Sequence, residues 1–577
     1  MRLCRPGAGP GKEGLGAENM QGRAIKDSYD VVVIGSGFGG AIAASRLAQG
    51  GMSVAILERG RRWQNSDFPR TIGQVSESFW TRGKYHGFLE YRAFKRIDVI
   101  QGVGVGGGSL HYFNVNLRPP AAIFDRGRWP ERISRPTMDP YYELVEQMLE
   151  SQPLTPPEGR DLPNRTRAFQ TAGSKAGYAP ELVNIAVHTR GARQNPRSGV
   201  VRQPCVYCGN CLFGCHVNAK NTLDITYIAA AERDHAAEVF PLHLVDCIEP
   251  IGRHGYRVNF RRFRADQPRV SEEGSVIGKR VVVAAGSLGS TELLLRCRDH
   301  FKVLPDLSPA LGNWFSGNGD FLIPGTADAA ARIDPGQGPS ITAKLSHSTG
   351  DNIITIEDLG IPDSFLWFLE GILPPRHSRV TGWIKLAWNY VLRSVGIAAG
   401  QGRVSDEINA LVQSGRTPRF LPYLGMGTDA ADGQLRLVDG EIDIDWSHKN
   451  SRKMFREMEQ ILKQVSQAAG GRYCTSPLWR WPLRKLLTAH PLGGCVLGSD
   501  PEHSVVDHRG EVWNYPGLYV VDGAIIPSAL AVNPSLTIGA LAERAAFWML
   551  RDRDMGCEDS DRPVALGGQC RSQLAVL

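Results

Sequence analysis

Tyr29-Asp30-Val31-Val32-Val33-Ile34-Gly35-Ser36-Gly37-Phe38-Gly39-Gly40-Ala41-Ile42-Ala43-Ala44 decides the fold. The stretch opens on a β-branched apolar run and passes through a glycine-rich turn. It then continues through Ser45, Arg46, Leu47 and Ala48 as a helix. Gly35, Gly37 and Gly40 fit G-x-G-x-x-G. The first glycine makes the turn, the second lets a pyrophosphate approach the backbone, and the third lets helix pack on strand. The helix N-terminus then faces the phosphates. Ser53-Val54-Ala55-Ile56-Leu57-Glu58 predicts a second strand ending in an acid, where a ribose-binding carboxylate belongs. Strand, turn, helix, strand and acid agree on a dinucleotide site contacted by Gly35, Gly37, Phe38, Gly39, Gly40 and Glu58. The motif alone does not separate FAD from NAD, and its place near the start of a long chain favours FAD.

The chain has 577 residues, which at roughly 150 residues per domain predicts two to four domains. Hydrophobic residues at 42% and charged residues at 22% describe a globular protein and exclude a disordered or coiled-coil body. The 65 glycines follow no G-X-Y period, so collagen is excluded and glycine-rich loops are expected. A net charge of +7 over this length offers no dense basic stripe for nucleic acid. No window of about 18 uncharged apolar residues predicts a transmembrane helix. Residues 1–27 lack the apolar core of a secretory signal and are read as a disordered extension, and 551–577 as a flexible tail. Of the 11 cysteines, four crowd between Cys205 and Cys215 and the rest are scattered, a usage that points to the reducing cytoplasm.

Three further stretches extend the pattern. Gln101-Gly102-Val103-Gly104-Val105-Gly106-Gly107-Gly108-Ser109-Leu110 is a second glycine-rich loop, either a flexible surface loop or one whose amides approach a phosphate or flavin closely. Val281 to Gly286 followed by Ser290 to Leu295 reads as strand, turn and helix. Leu518-Tyr519-Val520-Val521-Asp522-Gly523 reads as a strand ending in an acid, and Asn533-Pro534-Ser535-Leu536-Thr537-Ile538 opens an alanine-rich helix. Elements of one nucleotide-binding sheet thus stand at both ends, with the middle inserted between them.

At these residues the chain resembles the glucose–methanol–choline (GMC) flavoprotein oxidoreductases, and within them the bacterial cholesterol oxidases, over about residues 28 to 550. The resemblance rests on the Gly35–Gly40 turn with Glu58, on Gly106 to Leu110, and on Gly425-Met426-Gly427-Thr428-Asp429 with Asp432-Gly433. Its most specific parts are His490-Pro491-Leu492-Gly493-Gly494-Cys495 and the block from Tyr519 to Ile538. It implies an α/β fold with a Rossmann-like FAD domain and an inserted substrate domain containing an antiparallel sheet. The FAD domain is expected from 28–117, 200–320 and 484–550, and the substrate domain from 118–199 and 321–483.

The resemblance also implies roles. Alcohol oxidation removes a hydroxyl proton and a carbon-bound hydride, and the flavin takes the hydride. Histidine suits the base, so His490 is the candidate, against plain turn chemistry at His-Pro. Asn533 would orient the substrate oxygen, or cap the following helix, or both. Asp522 and Gly523, with Gly107, Gly108 and Ser109, match flavin-contacting positions. Glu357, in the strand-like run Ile353 to Asp358, is either a substrate-facing carboxylate or a solvated strand-end acid. His111 lies near the offset at which choline-oxidase-like relatives bond flavin covalently, whereas most cholesterol-oxidase-like relatives lack a histidine there.

Cys205-x2-Cys208-x2-Cys211-x3-Cys215 copies the bacterial ferredoxin run, with His216 in place of the usual proline. An iron–sulfur cluster, zinc or disulfides, and unliganded thiols kept for the fold are all open readings. From Ser378 to Val395 apolar residues including Trp383, Trp388 and Leu392 fall on one helical face. They mark a helix packed on the core, or a substrate-entry lid in peripheral contact with a membrane. The expected reaction is oxidation of an alcohol to a carbonyl, with a steroid or lipid-like secondary alcohol as substrate and dioxygen or a redox carrier as acceptor. The rival is a dehydrogenase of a sugar-like or polar natural-product alcohol that passes electrons to a quinone or carrier.

Overall fold

The computed structural model describes residues 24–554, apart from 82–85, 127, 253, 265–269, 351, 363–387, 389–419, 477–478 and 480–483. Strand β1 (Ser28–Ile34) is apolar on both faces because it lies inside a parallel sheet covered on both sides, and Val31, Val32 and Val33 are fully buried. It runs parallel to β2 (Val54–Glu58), with Val31 opposite Val54, and on its other side to the strand Ser271–Val283, with Val32 opposite Val281. Glu238–Pro241 extends the sheet beyond β2, and Leu518–Val520 pairs with the end of Ser271–Val283. Chain ends far apart in sequence therefore meet in one sheet, as the pattern predicts.

The thirteen-residue strand Ser271–Val283 joins two kinds of pairing. Its second half is parallel to β1, while most of its length is antiparallel to Tyr256–Phe263, which in turn pairs with His243–Pro250. Helix α1 (Phe38–Gln49) follows β1 and is buried from Gly39 to Ala48. It packs against the C-terminal helix Ser535–Asp554, pinned by a buried ion pair in which Arg46 lies 2.7 Å from Glu543. The Tyr227 hydroxyl donates to the same carboxylate at 2.7 Å.

The second sheet is antiparallel throughout: Phe321–Ile323, Tyr423–Gly427, Asn352–Asp358, Ala343–Thr349 and Glu181–Leu182, in that spatial order. Helix Arg452–Ala468 lies against it with Met454, Phe455, Met458, Ile461, Leu462 and Val465 buried, a stripe at helical spacing. The Gly425-x-Gly427 pair is explained by this helix. A Cβ at those positions would sit 2.3 Å and 2.5 Å from the sulfurs of Met458 and Met454.

The fold is α/β, with a nucleotide-binding sheet and an antiparallel sheet. Among the described residues no helix is long and apolar enough to cross a membrane. The amphipathic run from Ser378 to Val395 lies outside the described residues except for Trp388.

Candidate active site

The two glycine-rich loops stand back to back. A Cβ on Gly107, which holds φ at +51°, would lie 2.5 Å from the Gly37 Cα. A Cβ on Gly39 would lie 1.7 Å from the Val521 carbonyl oxygen, so only glycine lets α1 start this close to the C-terminal strand. Gly37 faces the opposite condition, because a Cβ there would meet nothing within 4 Å. The amides at the start of α1 have no side-chain cap and no acid in the first turn. Unpaired N–H groups beside open space are what a pyrophosphate requires.

These loops form one end of a cavity of about 970 Å³ that runs from the Gly35–Gly39 turn to His490 and Asn533. Gly107, Gly108, Asp522 and Gly523 also line it. Asp522 organises the wall by accepting from the Gly286 and Ala524 amides, each at 2.8 Å, and from the Ser290 hydroxyl. Burial raises its pKa.

Two of the expected contact residues do not line this cavity. Gly40 does not reach the cavity, because it packs α1 on the sheet and a Cβ there would lie 2.0 Å from the Gly35 carbonyl oxygen. Ser109 is also turned away, its hydroxyl donating to the Gly106 carbonyl and accepting from the Leu223 amide. Glu58 does line the wall, yet its carboxylate already accepts from Ser36 (amide and hydroxyl), Gly60 and Gly104. It ties together the three loops around the turn.

At the far end, His490 follows the short strand Leu486–Thr488, and its turn is laced to the C-terminal strand by the Gly493 amide bonded to the Gly523 carbonyl at 3.0 Å. Its Nδ1 lies 2.8 Å from Asp320 Oδ1. Asn533 stands two residues before the helix Ser535–Asp554, so it is not that helix's cap; its Nδ2 donates to Glu357 Oε2 at 3.3 Å. Glu357 is fully buried on strand Asn352–Asp358, which excludes the solvated-acid reading. Asn533 Oδ1 and Glu357 Oε1 are buried with no hydrogen-bond partner among the described residues. Two such orphans in contact with each other mark a place prepared for a ligand's polar group.

Burial, with the nearby Asp358 and Asp320 adding to it, pushes the Glu357 carboxyl up to about 8 against the opposing bond from Asn533. The folded chain therefore binds one more proton than the unfolded chain between the ordinary value of 4.5 and about 8. Stability contributed by this group falls as pH rises through that window. Glu357→Gln removes the dependence, so its melting temperature relative to the parent should climb through the window and level off above it. A difference independent of pH would contradict this.

His111 lines the cavity and is held neutral, its pKa lowered to about 3 by burial and by the proximity of Lys220 and His490. Lys220 is a residue that no motif announced. Its buried ammonium donates to the Leu110 carbonyl at 2.9 Å and the Cys211 carbonyl at 2.8 Å, and burial lowers its pKa to about 8.

The four-cysteine spacing is not gathered into a ligand set. Among the described residues no group of three or more His, Cys, Asp or Glu is placed to hold a metal, and the thiols are free, with Cys208 exposed. The loop is instead shaped by its own contacts. Tyr207, Gly209 and Gly214 take positive φ, Gly209 presses on the Gly336 backbone, and Gly214 presses on the Phe68 ring. Lys220 fixes the carbonyl of Cys211.

A phosphate-ready helix start joined by one cavity to a half-buried histidine and an amide, with a buried carboxyl bonded to that amide, is the arrangement of a flavin-dependent oxidoreductase of alcohols. Residues 29–297 and 430–542 match the N- and C-terminal models of the GMC oxidoreductases, and the chain belongs to that family. It is 29% identical over 551 residues to a cholesterol oxidase of Acinetobacter baumannii, covering 90% of this chain and 94% of that relative. A cholesterol oxidase of Mycobacterium tuberculosis (strain ATCC 25618 / H37Rv) is also 29% identical, over 90% of this chain and 91% of its own. A long-chain-alcohol oxidase of Arabidopsis thaliana is 25% identical, over 89% of this chain and 66% of its own. Among solved structures, pyridoxine 4-oxidase from Mesorbium loti superposes with a TM-score of 0.58 at 15% identity, covering 90% of this chain and 98% of that one. The residues of the glycine-lined end fit the FAD this family binds, since the bare α1 amides and the open space at Gly37 leave a phosphate-sized cradle.

Proposed function

We propose that the enzyme oxidises the secondary hydroxyl of an apolar, sterol-like alcohol to a carbonyl. The observation that carries this reading is the cavity wall beyond His490 and Asn533, made of Phe113, Val115, Leu322, Leu359, Ile361 and Leu424. Such a wall buries a hydrocarbon skeleton and offers a sugar few partners. The cholesterol oxidases among its relatives support the same class. Gly35, Gly37, Phe38 and Gly39, with Gly107, Gly108, Asp522 and Gly523, would hold FAD, which supplies the hydride acceptor when bound. His490 takes the hydroxyl proton on Nε2. The second N–H of Asn533 is free to hold the alkoxide oxygen while the first stays on Glu357. Neutral Glu357 adds no repulsive charge beside that developing anion. Dioxygen is the proposed acceptor, in line with the oxidases among its relatives. The experiment is anaerobic mixing of the purified yellow protein with alcohols at equal concentration. Cholesterol or another hydroxysteroid should bleach the flavin faster than glucose or choline. Faster bleaching by the polar alcohols would favour the carrier-linked dehydrogenase instead. Iron and acid-labile sulfide in anaerobically purified protein would add to that alternative.

A further inference from the structure

Asp320 belongs to none of the motifs that mark this chain, yet its carboxylate meets the His490 ring. It lies just before the strand Phe321–Ile323, 170 residues from His490, and its side chain is 3% exposed. Its Oδ1 faces His490 Nδ1 at 2.8 Å. Its Oδ2 is committed elsewhere, accepting from the Ala489 amide at 3.0 Å and the Thr488 hydroxyl at 2.8 Å. That hydroxyl oxygen also accepts from the His490 amide at 2.8 Å. The two residues before His490 thus fix the carboxylate, and the carboxylate fixes the imidazole.

Resting on the reading of His490 as the base, we propose that Asp320 is its positioning residue. It holds the proton on Nδ1 and so leaves the Nε2 lone pair toward the cavity. An imidazole with one proton can be a base at only one nitrogen, and the partner of the other nitrogen decides which. Asp320 is the acceptor-only partner in contact with Nδ1. The other titratable groups near this ring are His111, which burial keeps neutral, and Glu357, which is neutral below about 8. Lys220 stands behind His111. When Nε2 takes the substrate hydroxyl proton, the ring becomes imidazolium and Asp320 compensates the charge. No bond to Asp320 forms or breaks.

The two donors on Oδ2 make the test selective. In Asp320→Asn the amide oxygen must occupy the Oδ2 place, because Ala489 N–H and the Thr488 hydroxyl both donate there. The NH₂ then faces Nδ1 and donates to it, which moves the ring proton to Nε2 and removes the base. Asp320→Ala leaves the tautomer free. The isosteric asparagine should therefore be the more damaging change, slowing anaerobic flavin reduction by roughly 10²–10⁴-fold, and alanine should slow it less. Both variants should retain bound FAD. A merely structural role predicts the reverse order, with asparagine near normal and alanine worse. That order overturns the inference.

If the variants fail to fold, nitrogen-15 histidine spectra of the parent enzyme still decide the matter. The signal missing from His490→Ala should be protonated at Nδ1, and protonation at Nε2 would overturn it. Failure of the base reading is distinguishable, because His490→Ala would then reduce its flavin at the parent rate. An inactive His490→Ala beside a normal Asp320→Asn sinks only the role of Asp320.

Discussion

His490→Ala should keep its FAD and lose turnover by roughly 10²–10⁴-fold, the range removed when a positioned general base is deleted. The cofactor should stay because the glycine loops, Asp522 and Gly523 lie on other segments of the cavity. The loss should appear in anaerobic single-turnover flavin reduction and not only in steady-state rates, since the base acts at proton removal. An alanine at this place leaves Asp320 with its Thr488 and Ala489 donors, so the fold has no new buried charge without partners. Reduction at the parent rate, with FAD bound, would remove His490 from the chemistry.

Arg165→Met should destabilise the enzyme by about 3–5 kcal/mol, the cost of leaving one half of a buried ion pair without its partner. Arg165 and Asp358 are both fully buried, with Nε 3.0 Å from Oδ2. The guanidinium also serves the Pro335, Gln337 and Pro339 carbonyls. Asp358 retains Thr166, Thr342 and Ala343 as donors, but none of these carries charge. The double variant Arg165→Met, Asp358→Leu should regain a large part of the loss, as apolar replacement of a whole buried pair often does. Denaturant midpoints of the three proteins check this, and a single-variant loss under about 1 kcal/mol would contradict it.

Local signals were the readable part of this chain. The Val31–Ile34 run, the glycine turn and the acid at Glu58 announce strand, cradle and strand because each depends on neighbours within about twenty residues. His490, Asn533 and Glu357 were singled out through motif resemblance; His490 and Asn533 line one cavity, and Glu357 bonds Asn533. Asp320 and Lys220 were invisible for a physical reason. Their work lies in bonds to His490 and Leu110, 170 and 110 residues away, and no local periodicity marks a long-range partner. The antiparallel half of Ser271–Val283 was hidden too, since Ser271 to Arg280 is largely polar and largely exposed, and its strand form comes from pairing with Tyr256–Phe263. The cysteine window left three readings open. Spacing sets which thiols could converge, but the path of the loop, bent at Tyr207, Gly209 and Gly214, decides whether they do.

Glu357 and Asp358 are neighbours on one strand, so they point to opposite faces and meet opposite environments. One is neutral against Asn533, and the other is locked to a guanidinium in the interior. Sliding that strand by a single residue one way would set Leu359 against Arg165 and leave the guanidinium without its counter-charge. Sliding it the other way would set Ile356 beside Asn533, where the amide needs an acceptor. Strands can slip wherever both alignments bury equal grease. Here either misalignment sets an apolar side chain against a buried polar partner, so two adjacent acids act as a proofreading device for the assembly of the substrate side.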